Sequence, residues 1–144
     1  MNQPTAFRLP QTIKSAGSLV AVFSRPSGLQ KRIGPLTDLF LGVDAVRAAA
    51  GGPVIAERRN HLWHVDGQRY SRLQLEGPVT LYLLRGSDSK SYGPYKALRV
   101  VDGVAFCEGR VFASVERDRN CWYCQEDGHR WDLIVIKPAL PGRW

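Results

Sequence analysis

Two Asp-Gly dipeptides, Asp66-Gly67 and Asp102-Gly103, each stand between short apolar runs. A type I′ hairpin turn needs positive φ at both central residues, and Asp-Gly is one of the few pairs that accept it. Gln125-Glu126-Asp127-Gly128 reads as a four-residue hairpin loop. Strands joined by turns this short are antiparallel neighbours. The runs around them are 54–65, 68–76, 79–84, 96–101, 104–107, 110–116, 121–124 and 129–137, with two more at 5–9 and 19–23.

One segment reads differently. Leu36, Leu39, Phe40, Val43, Val46 and Ala50 recur at the spacing of one helical face. Thr37 stands where an N-cap belongs, and Gly51-Gly52-Pro53 ends the segment with a glycine cap and a helix breaker. Gly42, inside it, costs about 1 kcal/mol relative to Ala. The fold class expected is α+β: a bent antiparallel sheet or partial barrel, rich in β, with one main helix over 36–50 packed on it. We read no internal repeat, no low-complexity tract and no linker. With 144 residues the expectation is a single domain over 1–144, irregular over 138–144.

The net charge is +7, and it is uneven. Residues 1–50 and 51–100 each carry +4, whereas 101–144 carry −1. Fifteen of the twenty cations are Arg, whose planar fork suits phosphate and carboxylate. That balance favours anionic partners, and it also fits a soluble surface with a cationic bias. Three cysteines, no secretory leader in the opening residues and no apolar run of 18 give a cytoplasmic expectation with reduced thiols and no membrane partner.

The hairpin about Asp66-Gly67 fixes a register: Val65 opposite Gln68, His64 opposite Arg69, Trp63 opposite Tyr70, and His61 opposite Arg72. One face then carries Arg59, His61, Trp63, Tyr70 and Arg72. Aromatics interleaved with cations match the needs of a single-strand platform, where bases stack on rings and guanidinium groups hold phosphate. The competing reading is an ordinary cross-strand pair against the core, which the usual burial of large aromatics favours. The stretch 85–96 reads as the longest loop of the β region, and it offers Arg85, Lys90, Tyr92, Tyr95 and Lys96 to a ligand. The turn at 25–32 is a lesser anion site without P-loop spacing.

Cys121-x-x-Cys124 with His129 provides half of a zinc site, but on a strand the two thiols point to opposite faces. No metal and no cofactor are expected. Cys124 opposite His129 lacks the third group that a thiolate nucleophile needs. No HExxH, GxSxG, GxGxxG or EF-hand pattern occurs, so no reaction is identified. The reading is a small basic binding module for an anionic or aromatic-bearing partner, with single-stranded nucleic acid as one such partner. The alternative is a ligand-binding partial barrel or small enzyme whose pocket is lined by Trp63, Tyr70, Trp122 and Trp131. A homo-oligomer built on exposed aromatics is a further possibility.

Overall fold

The computed structural model describes residues 18–49 and 51–139. The strand expected at 5–9 and the tail from 140 lie outside them. Eight strands fill the first half of the described chain: β1 (Leu19–Ser24), β2 (Gln30–Leu36), β3 (Leu39–Leu41), β4 (Ala45–Arg47), β5 (Val54–Arg59), β6 (Leu62–Val65), β7 (Gln68–Tyr70) and β8 (Arg72–Glu76). Eight more follow: β9 (Val79–Arg85), β10 (Asp88–Tyr95), β11 (Leu98–Val101), β12 (Val104–Cys107), β13 (Arg110–Glu116), β14 (Cys121–Cys124), β15 (Arg130–Trp131) and β16 (Leu133–Pro138). Among the described residues the one helical element is a 3-10 turn, Arg117–Arg119.

The expected helix is absent, and α+β gives way to an almost all-β fold. Residues 36–49 hold the end of β2, then β3 and β4, and Ala50 lies outside the described residues. Leu39 and Leu41 point inward, as period two requires, and Val46 is buried from the next strand. Phe40, assigned to the helix's apolar face, lies half-buried opposite Arg47. Three short alternating pieces separated by bends had mimicked a 3.6 period. Gly42, poor inside a helix, is at home in the bend, where its N–H donates to the Ala45 carbonyl at 2.9 Å.

Two antiparallel sheets result, in the orders β2-β1-β8-β11-β12-β13-β14-β15 and β10-β9-β16-β3-β4-β5-β6-β7. Exchanging β1 with β9, β2 with β10, and so on through the chain turns one order into the other. Residues 19–76 and 79–138 are therefore two copies of one eight-strand plan, which corrects the expectation of no repeat. Each sheet takes three strands from one copy and five from the other. Backbone details repeat as well. Arg58 N–H donates to the Asp44 carbonyl at 2.7 Å, and Val115 N–H to that of Gly103 at 2.8 Å. Ser71 N–H donates to the Ser24 carbonyl at 3.0 Å, and Asp132 N–H to that of Leu84 at 2.8 Å. Both copies carry Gly-Pro at the end of the first hairpin, Gly34-Pro35 and Gly93-Pro94, cis in each. The repeat escapes a sequence reading because a strand constrains only its inward positions, and the turns differ in length.

The inward faces share one core. Leu19, Ala21, Phe23, Leu73 and Leu75 come from the first sheet, and Leu39, Leu41, Leu81, Ile134 and Ile136 from the second. Phe23 of β1 packs edge-on against Trp63 of β6 at 6.0 Å between ring centres, bringing that end of one sheet onto the other. The cleft bordered by Arg25, Arg72 and Arg99 opens on the outer face of the first sheet.

Candidate functional site

The Asp66-Gly67 hairpin forms in the expected register, with Trp63 opposite Tyr70, His64 opposite Arg69 and Val65 opposite Gln68. It stops there. Ser71 bonds to Ser24, and Arg72 begins β8 in the other sheet, so Arg72 does not share a face with Trp63. Trp63 and Tyr70 are buried at 1% and 5% exposure, so their ring faces serve the core. Arg59 is exposed and pairs with Glu57 at 3.3 Å. His61 is exposed and its Nδ1 lies 2.7 Å from Asp102. Trp122 and Trp131, the other rings of the expected pocket, are also buried and oppose each other across β14 and β15.

Residues 85–96, expected as a loop, form a tight turn and then β10, paired to β9 along its length. Arg85 donates to the Arg130 carbonyl at 3.0 Å, and its guanidinium lies 5.2 Å from the Trp131 ring centre. Lys90 sits 5.4 Å from the ring of Tyr92. Tyr92 and Tyr95 both pack edge-on against Phe112, and the Tyr92 hydroxyl donates to Asp127 at 2.7 Å. The backbone of Lys96 donates to Glu108 at 2.7 Å. Lys90, Tyr92 and Tyr95 thus stay near one another, whereas Arg85 and Lys96 are engaged elsewhere.

What the structure does gather is Arg72 with Arg25, from the turn read as a lesser anion site, and Arg99, which no expectation named. Arg25 in the first turn, Arg72 at the start of β8 and Arg99 in β11 border an outward cleft of about 410 Å³. Their positions follow from register. Ser24 faces Arg72 across β1 and β8, and Arg72 faces Val101 across β8 and β11. The Arg72 Nε donates to the buried Ser24 hydroxyl at 3.2 Å. Arg25 donates to the Arg69 carbonyl at 2.7 Å and to the Gln68 amide oxygen at 2.8 Å. Arg99 lies 5.0 Å from the ring centre of its cross-strand neighbour Phe106, which is half-buried. Val101 and Phe106 supply the apolar wall. None of the three guanidinium groups has a carboxylate within 4.0 Å among the described residues. A second cleft of about 250 Å³ shares Arg99 and Phe106 and continues past them to Glu108.

The other copy of the plan provides an internal comparison. Its equivalent cleft, also about 410 Å³, is bordered by Phe40, Arg47 and Leu133. There the Arg–Phe cross-strand pair is reversed, Leu133 takes the place of Arg72, and Arg47 is tied to the Gly52 carbonyl at 2.6 Å. Three arginines at one cleft are thus not a demand of the fold. No local signal in the sequence points to Arg99, since it sits far from Arg25 and Arg72 in the chain and the pairing of β8 with β11 brings it there.

Cys121 and Cys124 alternate along β14, and all three cysteines are free and buried. Burial pushes the Cys107 thiol up to about 12, and it raises those of Cys121 and Cys124 as well. Among the described residues no three His, Cys, Asp or Glu side chains converge as a metal site. Nor is any described helix long and apolar enough to cross a membrane. No family model, no curated protein and no solved structure matches the chain.

Proposed function

We propose that this protein is a non-catalytic binding module for an anionic partner, held at the Arg25–Arg72–Arg99 cleft. The observation that carries the reading is three guanidinium groups without carboxylate partners around one open cleft. Guanidinium forks favour phosphate, and Phe106 beside Arg99 offers a ring for a base. Single-stranded nucleic acid is the partner class that uses both, and the continuation of the cleft past Phe106 suits an extended ligand. The three unpaired thiols support a cytoplasmic setting.

The test is binding of the full chain to a mixed-sequence single-stranded oligonucleotide over a range of salt. Affinity should fall with salt, and Arg72→Ala or Arg99→Ala should each flatten the log–log slope by about 0.7, one phosphate contact on a single strand. Phe106→Ala should cost about 1–3 kcal/mol of affinity. Absence of salt-dependent binding to both RNA and single-stranded DNA would sink the proposal.

A further inference from the structure

Arg58 is the only buried charged side chain among the described residues, 8% exposed on β5. Its Nε donates to the Val43 carbonyl at 2.9 Å, which fixes the plane of the guanidinium. The two terminal nitrogens have no hydrogen-bond partner and no carboxylate within 4.0 Å among the described residues, and they open on the solvent of a cleft rather than being enclosed in the core. Charged groups are rarely buried unless paired. Burial, and then the like charge of Arg117, push the Arg58 pKa down, whereas Asp44 and Asp102 act the other way.

The guanidinium borders a cleft of about 240 Å³ where the two copies of the plan meet. Asp44 and Asn60 come from the first copy, and Arg117 and Asn120 from the second. Arg117 is held in place. Its Nη2 lies 2.9 Å from the His61 Nε2 and 3.1 Å from the Nδ1, so the guanidinium rests against the ring, and the His61 Nδ1 lies 2.7 Å from Asp102. Asn60, His61, Asp102 and Asn120 all take left-handed backbone, with φ of 52°, 68°, 53° and 52°. Such residues outside glycine are uncommon, and two of these, Asn60 and Asn120, line the cleft.

The repeat supplies the control. Val115 stands where Arg58 stands, and Gly103 where Asp44 does, with the same backbone hydrogen bond between them. The fold builds this corner with an apolar side chain in one copy, so the architecture does not call for the Arg58 charge.

We propose that Arg58 and Arg117, with the carboxamides of Asn60 and Asn120, form a second ligand site that takes an oxyanion group of the phosphate or carboxylate kind. Arg58 presents two terminal donors from a fixed plane, the geometry of bidentate oxyanion recognition. Arg117 closes on the anion from the other copy. Asp44 at the same cleft accepts a hydroxyl or ammonium carried by the same ligand. The site is independent of the Arg25–Arg72–Arg99 cleft and shares no residue with it.

The test uses the full chain and titrates inorganic phosphate, and separately acetate, at ionic strength held constant with sodium chloride. Melting temperature and calorimetry are the readouts. A saturable rise in melting temperature with either anion is expected. The stronger of the two identifies whether the group is tetrahedral or planar. Arg58→Val, which installs the residue of the other copy, should weaken that binding by about 10- to 100-fold, the worth of a hydrogen bond to a charged group. Its own unliganded melting temperature should not fall. Arg117→Gln, on an exposed side chain, should weaken binding by a similar factor without threatening the fold. Arg99→Ala should leave it unchanged while weakening oligonucleotide binding, which separates this site from the cleft. No saturable response to either anion, or equal responses in the parent, Arg58→Val and Arg117→Gln, would overturn the proposal.

Discussion

Trp63 and Trp122 occupy the same position in the two halves of the chain. Trp63 faces Arg58 on one side and Tyr70 on the other, and Trp122 faces Val115 and Trp131. Both indoles are buried, at 1% and 0% exposure. Trp63 also packs edge-on against Phe23 of β1, which joins the far end of one sheet to the other within the first copy.

Trp63→Ala and Trp122→Ala should each destabilise the protein by about 3–5 kcal/mol, the cost of emptying a large aromatic site in a packed core. Urea denaturation measures this directly. A loss below about 0.5 kcal/mol in either variant would mean that its ring is outside the core.

Asp127 gathers the Tyr92 hydroxyl, the His129 N–H and the Trp131 indole N–H at 2.7, 2.8 and 3.2 Å. Burial alone would raise its pKa, but these donors outweigh burial and hold it below the ordinary carboxylate value. A depressed folded pKa stabilises the protein above the unfolded pKa, and that contribution is lost as pH falls through the folded one. Asp127→Asn should therefore be less stable than the parent at neutral pH and should show a flatter acid limb. Melting temperature against pH, with parallel acid limbs for the two proteins, would contradict this.

The three thiols are buried and shifted upward, so little thiolate exists near neutral pH. A chromogenic disulfide reagent should react slowly with the native protein and should titrate all three thiols once it is unfolded. Fast reaction of any thiol in the native state would mean that it is exposed or activated.

Gly93 has φ of +117°, and a Cβ there would lie 3.1 Å from the Val79 carbonyl oxygen. Gly93→Ala should cost more than about 1 kcal/mol, because both the backbone and the close approach oppose a side chain. Gly109, with nothing within 4 Å of its added Cβ, is the comparison for positive φ alone. Equal losses in the two alanine variants, by thermal denaturation, would show that the contact with Val79 contributes nothing.

The hairpins were legible because their cause is local. Asp66-Gly67 and Asp102-Gly103 dictate their own backbone, and Val101 pairs with Val104 as the turn requires. The pairing of Trp122 with Trp131 followed from the 125–128 loop in the same way. Residues 36–50 misled because short strands of two or three inward residues carry too few positions to separate period two from period 3.6. The run 85–96 misled through its Ser and Gly, whose turn preference yields when a neighbouring strand such as β9 offers a full ladder of hydrogen bonds.

By itself the sequence determined the antiparallel hairpins, the cationic bias and the apolar alternation that feeds one core, because each depends on residues close together in the chain. Only the tertiary structure decided which strands become neighbours across the two copies. That choice buries Trp63 and Tyr70, places Arg99 beside Arg72, and brings Arg117 to Arg58. The reason is physical: a strand's sequence specifies which face it buries, but its sheet partner is selected by packing against the rest of the molecule.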